Sequence, residues 1–117
     1  MKLSTTSSIP GEDVHATLGI VHGTAVMTTD AVNDMVASVK NFFGGKVSKY
    51  ERVFDEARNR ALQAMIEQAR EMGANAVIGV SIDVEINPMQ KGTLLAAAAT
   101  GTAVLSNKKS ASGPLPI

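Results

Sequence analysis

The chain has 117 residues, 44% of them hydrophobic and 3% aromatic, and its eleven basic and eleven acidic side chains cancel. That length holds one domain, which as a monomer would bury roughly 65% of the surface its unfolded chain exposes. Balanced charge and scarce aromatics argue against nucleic-acid binding, and the lack of cysteine excludes disulfides, thiolate catalysis and Cys-based metal sites.

Residues 1–13 hold one Lys and no apolar run, so a secretory leader is not expected. Lys2–Thr6 reads as a short edge strand. Val14–Met27 reads as a long strand interrupted by Gly19 and Gly23, each marking a bulge or a close backbone approach. A shorter helix is expected over Asp30–Phe43, where Val32, Met35, Val36, Val39 and Phe43 keep helical spacing. Thr29 or Asp30 can cap it, and Gly44-Gly45 stops it.

The strongest pattern is a long helix over Ser48–Met72. Val53, Ala57, Ala61 and Met65, joined by Tyr50, Phe54, Leu62, Ile66, Ala69 and Met72, form one apolar face. Lys49, Arg52, Glu56, Arg60, Gln63, Glu67 and Arg70 lie opposite. Ser48 and Glu51 have capping-box spacing, Gly73 offers the left-handed residue that ends the helix, and Glu56 and Arg60 can pair at i, i+4. Such a helix is about 37 Å long.

Asn75–Asn87 alternates as a half-buried strand, with Ala76, Ile78, Val80, Ile82, Val84 and Ile86 on one face. Asn75, Val77, Gly79, Ser81, Asp83, Glu85 and Asn87 fall on the other. Asn87–Gly92 is turn chemistry, and Thr93–Leu105 returns as the second arm of a hairpin. This last strand has no charge on either face. Leu95, Ala97, Ala99, Gly101, Ala103 and Leu105 lie on one side; Leu94, Ala96, Ala98, Thr100, Thr102 and Val104 lie on the other. Ala and Gly are poor strand formers, so packing must explain them. Either they fit beneath a close-packed helix, or they let neighbouring copies of the chain approach. The second reading predicts that glutamate at Ala97 and Ala99 breaks an assembly. Ser106–Ile117 reads as a flexible tail, which leaves a single domain over residues 1–105.

The element order β-β-α-α-β-β predicts an α+β fold, with the helices on one face of a mixed, largely antiparallel sheet. Strands flanking the helices should be parallel through a right-handed crossover, and the last strand should insert between them, antiparallel to both. That is a split βαβ arrangement. The longest apolar run, Leu94–Ala99, is too short to cross a bilayer. A cytoplasmic protein is therefore expected.

Several stretches together resemble the YbjQ family of small bacterial proteins. They are Lys2-Leu3-Ser4-Thr5-Thr6, Gly19-Ile20-Val21-His22-Gly23, Phe43-Gly44-Gly45 with Tyr50-Glu51, residues 68–80 and residues 100–104. The Gly73-Ala74-Asn75-Ala76-Val77-Ile78-Gly79 stretch is the most specific. The resemblance runs from Met1 to about Leu105. It implies a subunit similar to dodecins, assembled as a homopentameric ring that can stack into a decamer, and a heavy-metal-binding label with no established activity. Asn75 and Ser81 stand where many relatives carry Asp, which leaves fewer carboxylates for a cation on that strand.

The residues themselves give little metal chemistry. Soft metals favour thiolate or thioether ligands and borderline ions favour imidazole. His15 and His22, seven apart, face opposite ways in an unbroken strand, and only a bulge at Gly19 would realign them. Met35, Met65 and Met72 fall on apolar helical faces and read as core. Asp83 and Glu85 share a strand face at i, i+2: a solvated face, or a hard-cation site shared with neighbouring copies. No metal ligand is assigned. No nucleophile elbow, P-loop or dinucleotide fingerprint occurs, so no catalytic residue, cofactor or enzymatic role is expected. The expectation is a non-enzymatic homo-oligomer that binds a small molecule or a partner at its inter-subunit clefts. Metal-ion binding is the alternative.

Overall fold

A computed structural model describes residues 1–28, 49–89 and 92–109. Four strands and one helix make up this part: β1 (Lys2–Leu3), β2 (Glu12–Met27), α1 (Lys49–Glu71), β3 (Ala76–Met89) and β4 (Gly92–Lys108). The expected shorter helix at 30–43, its glycine stop and Ser48 lie outside the described residues.

The sheet order is β1-β3-β4-β2. β4 is antiparallel to both β3 and β2, so β2 and β3 run the same way with the last strand between them. β1 joins the far side of β3 in parallel. This is the split arrangement expected from the element order. The hairpin between β3 and β4 is tight, with Met89 opposite Gly92.

The helix forms where its period predicts. Val53, Ala57, Ala61, Met65, Ile66 and Ala69 are buried, and most of them meet Val21, Met27, Leu95, Ala97 and Ala99 of the sheet in one core. Its exposed side carries the expected Arg60–Glu56 pair at 2.8 Å, an Arg70–Glu67 pair at 3.0 Å and an Arg58–Asp55 contact. Gly73 ends the helix at φ +85°: its amide donates to Arg70 and that of Ala74 donates to Ala69, a Schellman cap.

The two glycines of β2 have different jobs. The ladder with β4 slips between Thr17 and Gly19, so Gly19 ends a bulge. Gly23 lies in regular strand directly beneath α1. A Cβ there would overlap the Ala61 carbonyl oxygen and sit 2.5 Å from the Met65 amide nitrogen. Gly101 of β4 makes similar room beside Val77.

Two expectations are corrected. The alternation of β3 is broken: its pairing with β4 shifts between Ile78 and Ser81, where Gly79 has φ +61°. Val77 is therefore fully buried in the core rather than on the polar face, and inward positions change from odd to even across the bulge. β4 also runs to Lys108, so Ser106–Lys108 are strand rather than tail, and Ser106 is fully buried. The rest of the expected tail, 110–117, lies outside the described residues.

Candidate functional site

β4 has 17 residues and spans about 55 Å, whereas the 23 residues of α1 reach only about 35 Å. The helix covers one face of the sheet. On the other face the registers set side chains in rows: His22, Thr100 and Ser81; Thr24, Ala98 and Asp83; Val26, Ala96 and Glu85. Ile20 extends the β2 column and is 78% exposed, and Val26 is 62% exposed.

The small central column makes this face concave. Ala96 and Ala98 form the floor of a trough of about 280 Å³, walled by Thr24 and Val26 on one side and Asp83 and Glu85 on the other. Each alternative for the Ala-rich strand has its own residues. Ala97, Ala99, Gly101 and Ala103 lie buried beneath the helix, while Ala96, Ala98 and Thr102 are half-buried on the uncovered face.

The possible metal ligands do not converge. His15 is exposed and occupies the position the ladder skips between Val14 and Ala16. It lies about 23 Å along the strand from His22, too far to share an ion whichever way each points. Met65 is core and Met35 lies outside the described residues, but Met72, expected in the core, is exposed just beyond the end of α1. Asp83 and Glu85 do share the uncovered face, as expected, and both are exposed. No group of three or more His, Cys, Asp or Glu among the described residues could hold a metal. Two solvated carboxylates on one copy do not match what a soft heavy metal requires.

At the other end of the sheet is a polar cluster that the sequence reading missed. Lys2 Nζ lies 2.6 Å from Glu12 Oε1, and the same oxygen accepts the Ser106 hydroxyl at 2.9 Å. Asn75 bonds the Ser106 peptide from both sides: its Nδ2 donates to the carbonyl at 2.9 Å and its Oδ1 accepts the amide at 2.8 Å. An aspartate cannot donate, so asparagine here has a structural use apart from any cation. The Lys2 hydrogen bond is the main cause holding the Glu12 carboxyl below its ordinary range. Burial opposes it, and the Ser106 hydroxyl and the charges of Lys2 and Lys108 assist. A second contact that local pattern could not reveal joins Gln68 to the sheet edge, where its Oε1 accepts the His22 amide at 2.7 Å.

Comparison with known proteins places these features. A family model described as "Putative heavy-metal-binding" matches residues 1–107. The chain belongs to the YbjQ family. A UPF0145 protein of Carboxydothermus hydrogenoformans is 43% identical over 89% of this chain and 94% of its own length. One from Acetivibrio thermocellus is 44% identical over 90% and 98%. Neither name assigns an activity. A crystal structure from Pediococcus pentosaceus, of a protein of unknown function in the DUF74 family, superposes with a TM-score of 0.57. It covers 92% of this chain and 98% of that one at 18% identity, a likeness of fold. The family match ends at residue 107, one residue before the end of β4 and two beyond Leu105.

Proposed function

We propose that this YbjQ-family chain is a non-enzymatic subunit of a closed homo-oligomer, a pentameric ring, that binds a small molecule or a protein partner at the clefts between its copies. The observation that supports this reading is the sheet face opposite α1. It bears exposed Ile20 and Val26 beside the half-buried Ala96 and Ala98, with Thr24, Asp83 and Glu85 around them, and apolar side chains grouped on a sheet face that no other described element covers offer a place for another chain to pack. The radius of gyration, 18.6 Å, adds to this, since a compact chain of this length has about 13 Å. Among the described residues no helix is long and apolar enough to cross a membrane, and a cytoplasmic ring goes with this reading.

Native mass spectrometry of untagged protein tests it. The expected result is a mass of five copies, or ten if rings stack, carrying extra mass of organic size or gaining it from a ligand panel. A monomer at low micromolar concentration overturns the ring. Extra mass of metal size that chelation removes would favour the metal reading instead, with ligands drawn from more than one copy.

A further inference from the structure

The first eight residues are attached to the sheet along one side of β3. The Lys2 amide donates to the Asn75 carbonyl and the Ser4 amide to that of Val77, while the Gly79 and Val80 amides donate back to Thr6 and Ser4. The segment also holds its own shape. The Ser4 hydroxyl accepts the Thr6 amide at 3.1 Å and donates to the Thr6 hydroxyl at 2.6 Å, which in turn donates to the Ser8 carbonyl at 2.6 Å. It joins β2 through a turn in which the Glu12 amide donates to the Ile9 carbonyl at 3.0 Å, with Pro10 and then Gly11 at φ +79° between them. Pro followed by a positive-φ glycine is the signature of a type II turn.

Little apolar surface holds this segment down. Only Lys2 and Leu3 are strand, and Met1, Lys2, Leu3, Thr5 and Thr6 are exposed. Its side-chain lock is the ion pair of Lys2 with Glu12, and Glu12 is held in turn by the hydroxyl of the fully buried Ser106. Segments with few buried contacts and exposed backbone bonds open at a lower free energy than the core.

We infer that residues 1–8 form a strap, pivoting at the Pro10-Gly11 turn, which the Lys2–Glu12–Ser106 clamp holds closed over the edge of β3. Opening frees the Gly79 and Val80 amides. That lengthens the β3 edge beyond Ser81, where no other strand among the described residues pairs with it. Strap and clamp lie within one copy, so the inference does not depend on the ring.

Amide hydrogen exchange on the full chain tests it, with oligomer mass followed in parallel so that loss of the strap and loss of assembly are told apart. In Glu12→Gln the Ser106 hydroxyl keeps an acceptor but Lys2 loses its ion partner. Exchange of the Ser4, Gly79 and Val80 amides should rise about tenfold or more and stay nearly independent of low urea concentrations, the mark of local opening, whereas exchange of the Ala61, Met65 and Ala99 amides should steepen with urea as global unfolding does. Lys2→Met, at a half-exposed side chain, should give the same pattern and decides the matter if Glu12→Gln does not fold. Unchanged protection in both variants overturns the strap. So does urea dependence of the Ser4, Gly79 and Val80 amides as steep as that of the core amides, which would mean that they exchange only by global unfolding.

Discussion

Glu12 accepts a hydrogen bond from the Ser106 hydroxyl at 2.9 Å across 94 positions of sequence, joining the first residue of β2 to a fully buried serine near the end of β4. With Lys2 on the same oxygen, one carboxylate gathers three strands at one end of the sheet. The sign of its pH dependence follows. A carboxyl whose folded pKa lies below its unfolded value contributes stability that is present above the unfolded value. That contribution is lost as pH falls through the folded value. Denaturant melts should therefore show the wild type more stable than Glu12→Gln at pH 6, with the gap closing as pH falls below the ordinary carboxylate range toward 3. A gap that does not narrow at all as pH falls would mean the ionised carboxylate is not its source.

Gly23 and Gly79 should respond to alanine for different reasons. At Gly23 the added Cβ meets helix backbone, which cannot rotate away, so α1 must lift off the sheet. The expected loss is about 3 kcal/mol, at the top of the range for overpacking. At Gly79 nothing lies within 4 Å of the added carbon, and only the left-handed φ is strained. Its cost is about 1 kcal/mol. Urea midpoints of the two variants measure the difference.

Asn75 should be the costliest polar substitution at the β1 end of the sheet. Asn75→Ala removes the acceptor of the Ser106 amide and leaves its carbonyl only the 3.5 Å contact with Lys2 Nζ, in a part-buried strand, a loss of about 2 kcal/mol. Asn75→Asp keeps the acceptor and loses the donor, so about 1 kcal/mol is expected. Equal stability of the aspartate variant and the wild type would show that Lys2, whose Nζ already lies 3.5 Å from that carbonyl, makes up for the lost donor.

Much of this fold was legible because α1 and β4 have clean periods. The 3.6-residue spacing of Val53, Ala57, Ala61, Met65 and Ala69 yields the buried face directly, and insertion of β4 follows from connection rules. The bulge in β3 was hidden because Val77 and Ile78 are both apolar, so either phase of a two-residue period fits them. Gly79 was the available cue, since an isolated glycine in a strand marks a bulge. Ser106–Lys108 carry no apolar signal, and their strand state comes from pairing with Glu12–Val14. The concave face was half legible: its residues could be named, but which of the two Ala-rich faces α1 covers depends on packing that composition does not report.

That assignment changes how self-assembly should be tested. Ala97 and Ala99 are 2% and 0% exposed beneath α1, so glutamate there buries an unpaired charge and unfolds the subunit whatever its oligomeric state. Ala96 and Ala98 are half-buried on the uncovered face, opposite Val26 and Thr24. Glutamate at Ala98 lies in the row of Asp83, and at Ala96 in the row of Glu85, and like charges placed directly across a strand pair repel. Within one copy these charges stay solvated, so Ala98→Glu should cost about 1 kcal/mol or less of subunit stability. Against a neighbouring copy the same charge would be desolvated, and the assembly should weaken by about tenfold or more. Light scattering across a dilution series, paired with circular dichroism, separates the outcomes. A folded Ala98→Glu variant of reduced mass supports packing of copies on this face. A folded variant of unchanged mass moves the interface elsewhere, to the edge of β2 or to the part of the β3 edge beyond Ser81, which no other strand among the described residues pairs.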